Sequence, residues 1–195
     1  MITHQPFTDL TTVRASGDGD YTATIDPVWT IGPKVHGGAM MALCAAAMPV
    51  EPPEDAIAVT ADHPVGHVVH VAQGCDIRMD SATTGFLDGK QGPPVNRLWV
   101  RPLAADEADP ATAALFAIMA GDISTPVTMN RGIFGWAPTV QLTTYLRRRP
   151  APGWLRVVAS STVVGDSWFE EDHGIVDSTG NVVVQSRQLA MLPKK

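Results

Sequence analysis

The last third of the chain constrains the fold most. Residues 136–193 read as one compact β-rich unit, and a breaker-free apolar run at 111–120 precedes it. Acidic residues Asp106, Glu107 and Asp109, with Pro110 in a first-turn position, mark the start of a helix that 111–120 continues. Residues 136–146 and the Val-rich 154–162 read as strands, 168–177 alternates weakly, and 182–192 closes the series. Between the last two, Asp177-Ser178-Thr179-Gly180-Asn181 has the residue types of a hairpin loop. The pattern is therefore one buried helix followed by an antiparallel meander.

The first half repeats that order less completely. Residues 21–25 suit a strand, which 28–31 extends; His36-Gly37-Gly38 then opens an Ala/Met/Leu run at 39–48 that stops at Pro49. That run has no polar face, so as a helix it is expected to be buried on all sides. Zones rich in Pro and Gly at 49–53, 85–94 and 149–153 punctuate the chain. The repeat is one of architecture, not of letters. A long apolar helix wrapped by a curved antiparallel sheet is the hotdog arrangement, an α+β class.

Bulk properties set modest limits. The 195 residues suffice for one substantial domain or two small ones, and a hydrophobic fraction of 45% fits a globular protein. A net charge of −6 argues against nucleic acid as a partner, which needs a basic surface. Two cysteines, Cys44 and Cys75, are too few for a disulfide scaffold and point to a reduced, cytoplasmic setting. No secretory signal is read at residues 1–10, and the longest apolar run, 39–50, falls short of the roughly 18–20 residues of a membrane span.

Three blocks carry a resemblance: Gly135-Trp136-Ala137-Pro138-Thr139-Val140-Gln141-Leu142 continuing to Arg147, then Pro152-Gly153-Trp154-Leu155, then the run from Asp177 to Ala190. Their order and spacing resemble the second half of the acyl-CoA thioesterase II family, in particular its actinobacterial branch. The segment 29–48, with Val35-His36-Gly37-Gly38-Ala39-Met40, is similar to the start of that family's first half. The resemblance implies a double hotdog, two fused units forming an intramolecular pseudo-dimer. Residues 1–75 are then a shortened first half, 76–107 a linker and 108–195 the second half. The family's first half needs roughly 60 residues or more after its helix for four further strands, and this chain offers little more than a third of that before Gly74. Short strands are expected at 56–60 and 65–71. An incomplete sheet leaves an open edge, so a homo-oligomer or a poorly ordered first half is expected.

The resemblance also implies the chemistry. Asp122, Thr139 and Gln188 match the family's catalytic trio: Asp122 to polarise a water, Thr139 and Gln188 to fix that water and hold the thioester carbonyl. No covalent nucleophile and no cofactor is called for. Taken singly, each has a plain reading: Asp122 as a helix-end turn residue, Thr139 as an ordinary strand residue, Gln188 as a solvent-facing one. Gln141 departs from the family, which often has an acid two places after the Thr.

His36-Gly37-Gly38 resembles the helix opening of single-hotdog thioesterases, where a glycine amide polarises the carbonyl. The acid those enzymes carry about a dozen residues on is missing from 41–48. His36, Gly37 and Gly38 thus read either as a packing and turn feature or as helpers that seat the acyl group. Arg147 and Arg148, with Arg149, are a solvated strand end or a contact for the phosphates of coenzyme A. His63, His67 and His70 do not share one face of a strand and make a poor metal shell. With no Gly-x-Ser-x-Gly, a serine hydrolase is disfavoured. The expected function is hydrolysis of acyl-CoA to fatty acid and coenzyme A; the alternative is a catalytically silent hotdog that binds acyl groups or serves as an assembly partner.

Overall fold

A computed structural model of the chain describes residues 50–67 and 69–194 and, nearer the start, residues 9, 12–17, 20–31, 33–35, 43 and 47. The chain divides into two compact units, Met1–Pro49 and Val50–Lys195. In the first, β1 (Arg14–Gly17) pairs antiparallel with β2 (Asp20–Thr22), and β3 (Thr30–Ile31) with β4 (Lys34–Val35). Asp26 caps a 3-10 turn at Pro27–Trp29 by accepting from the Val28 amide at 2.8 Å. Leu43 is buried, with Val13, Ile25 and Trp29 packed against it. The expected strand at 21–25 thus contracts to Asp20–Thr22. Of the expected helix at 39–48, Leu43 and Ala47 are helical and the remainder lies outside the described residues.

The second unit carries a seven-stranded antiparallel sheet. Its strands are β5 (Ile57–Ala58), β6 (Cys75–Met79), β7 (Val95–Pro102), β8 (Thr139–Leu146), β9 (Leu155–Ser160), β10 (Trp168–Val176) and β11 (Val182–Met191). They run in the order β5-β6-β7-β9-β10-β11-β8. Two helices, α1 (Ala104–Glu107) and α2 (Pro110–Met119), lie between β7 and β8 in the chain. The β7–helix–β8 connection thus crosses the sheet, placing β8 on the far edge. That layout, with a helix packed on an antiparallel sheet, is the hotdog arrangement expected from the sequence.

Local chemistry sets α2 in place. Asp109 is its N-cap: one carboxylate oxygen accepts from the Thr112 amide at 2.8 Å and from the Thr112 hydroxyl at 2.7 Å. Pro110 occupies the first turn, where its missing N–H costs nothing. By length and composition, Pro110–Arg131 would suffice for a membrane span, longer than any apolar run the sequence reading allowed. Here α2 ends at Met119 and gives way to 3-10 turns at Ala120–Asp122 and Val127–Arg131, with Ala117, Ala120 and Val127 fully buried.

The stretch 76–107, expected as a linker, holds strands of this sheet. Nearly all of β6 and the whole of β7 fall within it, and β7 pairs with β9 from Val95↔Ser160 to Val100↔Leu155. The prolines that suggested a linker stand at permitted places: Pro93 and Pro94 precede β7 and Pro102 ends it. The strand expected at 65–71 does not form; that region holds turns and a 3-10 segment at His70–Gln73.

One face of the sheet carries the core, and its chemistry changes along the strands. Across five strands, Met79, Leu98, Val157, Ile175 and Val184 form one continuous apolar row. Each is buried, and each such side chain contributes roughly 1.5–3 kcal/mol. The adjacent row is Asn96, Ala159, His173, Ser186 and Thr144, and the next pairs Glu171 with Gln188 and Leu142. This polar end packs against the segment after α2. Asn96 Nδ2 donates to the Thr125 carbonyl at 2.6 Å, and Asn130 Nδ2 donates to Asn96 Oδ1 at 2.7 Å.

Candidate functional site

The polar end of the inner face brings two of the three expected residues into contact. Thr139 Oγ1 donates to Gln188 Oε1 at 2.8 Å. Strict alternation would not allow it. Gln188 stands opposite Leu142 and Leu189 opposite Gln141, but Ala190 stands opposite Thr139, so Val140 is an extra residue in β8. This bulge carries Thr139 onto the face that holds Gln188 and Ala190 and leaves Gln141 on the other. A bulge beside a site that re-aims one side chain is a known use of the irregularity.

The hydrogen bond orients the Gln188 carboxamide. Its oxygen is occupied by Thr139, which leaves both N–H groups without a partner among the described residues, on a buried side chain. A carboxamide whose N–H groups are left free is suited to hold a carbonyl oxygen.

Asp122 ends the 3-10 turn after α2, and this turn packs against β10 and β11. Its neighbour Gly121 accepts a short hydrogen bond through its carbonyl from Ser186 Oγ, two residues before Gln188 on the same face of β11. A Cβ at position 121 would meet Ser186 Oγ at 3.2 Å and Val184 Cγ1 at 3.4 Å, so a small residue permits this approach. Burial of part of its carboxyl raises the Asp122 pKa. Asp122 acts electrostatically on Glu171, which faces Gln188 across the ladder. No hydrogen bond joins Asp122 to Thr139 or Gln188 among the described residues.

Two inward side chains on β10, unremarked in the sequence, belong to the same region. Glu171 and His173 are fully buried. Both reach Ser124 Oγ, at 2.8 Å from Glu171 Oε1 and 2.9 Å from His173 Nε2. Burial pushes the Glu171 carboxyl up to about 7 and the His173 imidazole down to about 4. The run Glu170-Glu171-Asp172 reads as a solvated acidic stretch. The signal that singles out Glu171 is its period-2 phase with Phe169, His173 and Ile175.

The remaining candidates lie elsewhere. His36, Gly37 and Gly38 fall outside the described residues. Arg147 and Arg148 follow the opposite end of β8 from Thr139 and bind groups of β11 and its hairpin: Arg147 Nε donates to Gln185 Oε1 at 3.0 Å, and Arg148 Nη1 to Asn181 Oδ1 at 2.7 Å. Eight residues of strand separate Arg147 from Thr139, about 27 Å at strand rise.

A family model for the acyl-CoA thioesterase C-terminal domain matches residues 49–192, the extent of the second compact unit. The chain belongs to that family. This thioesterase-family chain is 47% identical over 147 residues to an uncharacterized protein of Mycobacterium tuberculosis, a match that covers 75% of the chain and 48% of the relative; a Mycobacterium bovis protein matches equally. It thus spans about half the length of the curated relatives it matches. Among solved structures, a hot dog fold protein of unknown function from Alicyclobacillus acidocaldarius superposes with a TM-score of 0.56 at 21% identity, over 76% of this chain and 55% of that one. A tesB protein of Mycobacterium avium subs paratuberculosis gives 0.52 at 22%, over 75% and 54%. A candidate thioesterase II from Thermobifida fusca YX gives 0.53 at 21%, over the whole of both chains. These likenesses bear on the fold, and they agree with the sheet described above.

Proposed function

We propose that this chain hydrolyses acyl-CoA, with water attacking the thioester carbonyl to give a fatty acid and the free thiol of coenzyme A. The Thr139–Gln188 hydrogen bond, formed only because Val140 bulges, carries the reading. A strand irregularity that turns a hydroxyl inward onto a carboxamide has little structural advantage over an apolar pair. It has a chemical one, because the carboxamide N–H groups are left to face a carbonyl oxygen.

In this scheme Asp122 in its carboxylate form takes a proton from the attacking water. The Thr139 oxygen, its hydrogen spent on Gln188, accepts from the same water. The Gln188 N–H groups stabilise the oxyanion of the tetrahedral intermediate; its collapse breaks the carbon–sulfur bond, and the thiolate leaves with the proton that Asp122 holds. Apolar side chains stand open nearby for an acyl chain: Leu142 on β8, and Ile118 and Met119 on α2, which packs against β8. Arg147 and Arg148 are the cations we assign to the phosphates of coenzyme A, and His36, Gly37 and Gly38 remain candidates for seating the acyl group.

Purified chain incubated with acyl-CoAs of graded length, with released thiol trapped by a chromogenic disulfide, tests the reading. Release that disappears in Asp122→Ala and Gln188→Ala supports it. Binding without release supports the second reading, a silent module that holds acyl groups or completes another chain. The open edge at β8, where Val140 is 61% exposed, favours that second reading. We assign that edge to a second copy of the chain, and light scattering of the purified protein distinguishes a dimer from a monomer.

A further inference from the structure

Ser124, Glu171 and His173 form a cluster of polar groups, two of them fully buried, that the thioesterase scheme leaves unused. Glu171 and His173 sit two apart on β10, between Phe169 and Ile175, where the inner face would otherwise be apolar. Both converge on one hydroxyl, and His173 Nε2 lies 3.4 Å from Glu171 Oε1. This is not the relay of a serine hydrolase. There the acid backs the imidazole at Nδ1; here acid and hydroxyl meet the same nitrogen, and Nδ1 has no hydrogen-bond partner among the described residues.

The cluster's place points to another role. Ser124 lies two residues after Asp122, and Glu171 also accepts from the Val127 amide. On the other side of Asp122, the Gly121 carbonyl is held by Ser186. The segment that presents Asp122 is therefore tied to β11 before it and to β10 after it, and Gln188 stands opposite Glu171 across those two strands. We propose that Ser124, Glu171 and His173 are positioning residues for Asp122, with Glu171 acting through the Ser124 hydroxyl to fix the turn that carries it. The proposal rests on the assignment of Asp122 as the group that activates water.

One hydroxyl hydrogen between two acceptors defines two states. With Glu171 ionised, Ser124 donates to Glu171 and His173 donates from Nε2 to Ser124. With Glu171 protonated, the direction reverses and His173 carries its hydrogen on Nδ1. The groups facing Glu171 favour the second state while Asp122 is charged. Asp122 approaches from the turn, Glu170 and Asp172 flank it on its own strand, and Asp172 is paired with Arg187 of β11. Gln188 and Ser186 on β11, and Ala159 and Ser160 on β9, are neutral. Arg187, the cation among these groups, is engaged by Asp172, so below pH 7 the enclosed carboxyl keeps its proton and Asp122 keeps the charge.

Two measurements decide this, one of them independent of turnover. The first is steady-state kinetics with Ser124→Ala and Glu171→Gln. We expect Ser124→Ala to lower kcat about 10²-fold with KM within about twofold, since a displacement of order 1 Å costs that much. Glu171→Gln, which keeps a partner for Ser124, is expected to retain kcat within about threefold and to lose the step near pH 7 in the kcat profile. The second is carboxyl-carbon NMR of Asp122 in wild type and Glu171→Gln, with nitrogen shifts of His173. Because Glu171 keeps its proton while Asp122 ionises, the main Asp122 midpoint is expected to be the same in both proteins; wild type alone is expected to show a second step in the Asp122 carboxyl shift near pH 7, as Glu171 titrates and the His173 tautomer changes over. A wild-type Asp122 shift without that second step, or an unchanged kcat in Ser124→Ala, overturns the proposal. A wild-type chain that releases no thiol removes the reaction alone, and the Asp122 titration then decides the positioning.

Discussion

Thr139 stands opposite Ala190, although a ladder continued without interruption from Leu142 would put it opposite Met191. The one-residue difference is Val140, and it decides which face of the sheet the Thr139 hydroxyl occupies. Deleting Val140 should close the bulge and leave Thr139 directly before Gln141, still opposite Ala190 and on the inner face, so thiol release should survive the deletion. Thr139→Val keeps the bulge and removes the hydroxyl that orients Gln188; the expected result is a loss of thiol release of order 10²–10³-fold, the range for removing one oxyanion donor, with far-UV circular dichroism unchanged. Full activity in Thr139→Val would show that the Thr139–Gln188 bond has no part in the chemistry.

Stability against pH should be flat where two buried groups oppose each other. His173 is held below its ordinary 6.5, at about 4, so the unfolded chain takes up the proton first; this contribution is present above 6.5 and lost as pH falls toward 4. Glu171 is held above its ordinary 4.5, at about 7, so its contribution is present below 4.5 and lost as pH rises toward 7. Between those limits the two slopes have opposite sign. Substituting one side chain exposes the other. Left with His173 alone, Glu171→Gln should lose stability as pH falls from 6.5 to 4, and left with Glu171 alone, His173→Gln should lose it as pH rises from 4.5 to 7. Each slope approaches ~1.4 kcal/mol per pH unit. Urea midpoints at several pH values measure them, and parallel curves for the three proteins would contradict the assignment.

Much of this fold is legible in the residues. Asp109-Pro110 announces α2, Asp177-Ser178-Thr179-Gly180-Asn181 announces the last hairpin, and the β-branched run after it gives β11. The linker reading of 76–107 fails because polarity averaged over that stretch hides Val95–Pro102, a strand whose inner positions Asn96, Leu98 and Val100 are all buried. The site is legible in part. The family resemblance of the blocks that hold them suggests Thr139 and Gln188, but only the register shows that a bulge brings them together. Glu171 and His173 are harder to see for the opposite reason: Phe169 and Ile175 set the phase, but polar groups at the inner positions between them weaken the apolar period by which a strand's buried face is recognised.

Asn96 and Asn130 form a second buried polar pair that should cost more to break than to remove. Asn130 Nδ2 donates to Asn96 Oδ1 at 2.7 Å and to the Val95 carbonyl at 3.0 Å, and Asn96 Nδ2 donates to the Thr125 carbonyl at 2.6 Å. Either single Ala substitution strands buried partners, at about 2–3 kcal/mol each. The double substitution removes both members of one bond, so its cost should fall short of the sum by about 1 kcal/mol or more. Denaturant unfolding of the four proteins gives this coupling directly, and strict additivity would mean that the two amides act independently.

Asp177 organises the turn that joins β10 to β11, and its charge should matter most in acid. Its Oδ1 accepts from the Thr179 amide at 3.0 Å, the Thr179 hydroxyl at 2.8 Å and the Asn181 amide at 3.0 Å; Oδ2 accepts from the Ala151 amide at 3.1 Å. Burial alone would raise its pKa, but the bonds from Asn181, Ala151 and Thr179 outweigh it and hold the group below its ordinary 3.8. A depressed carboxyl stabilises the fold above its unfolded pKa and loses that contribution as pH falls through the folded one. Asp177→Ala strands several donors and should cost about 2–3 kcal/mol near neutral pH. Asp177→Asn keeps one acceptor oxygen and should cost less. Wild type's advantage over Asp177→Asn should shrink as pH drops below 3.8, when the native carboxyl also takes up its proton. An advantage that stays constant through that range would assign the effect to shape and not to charge.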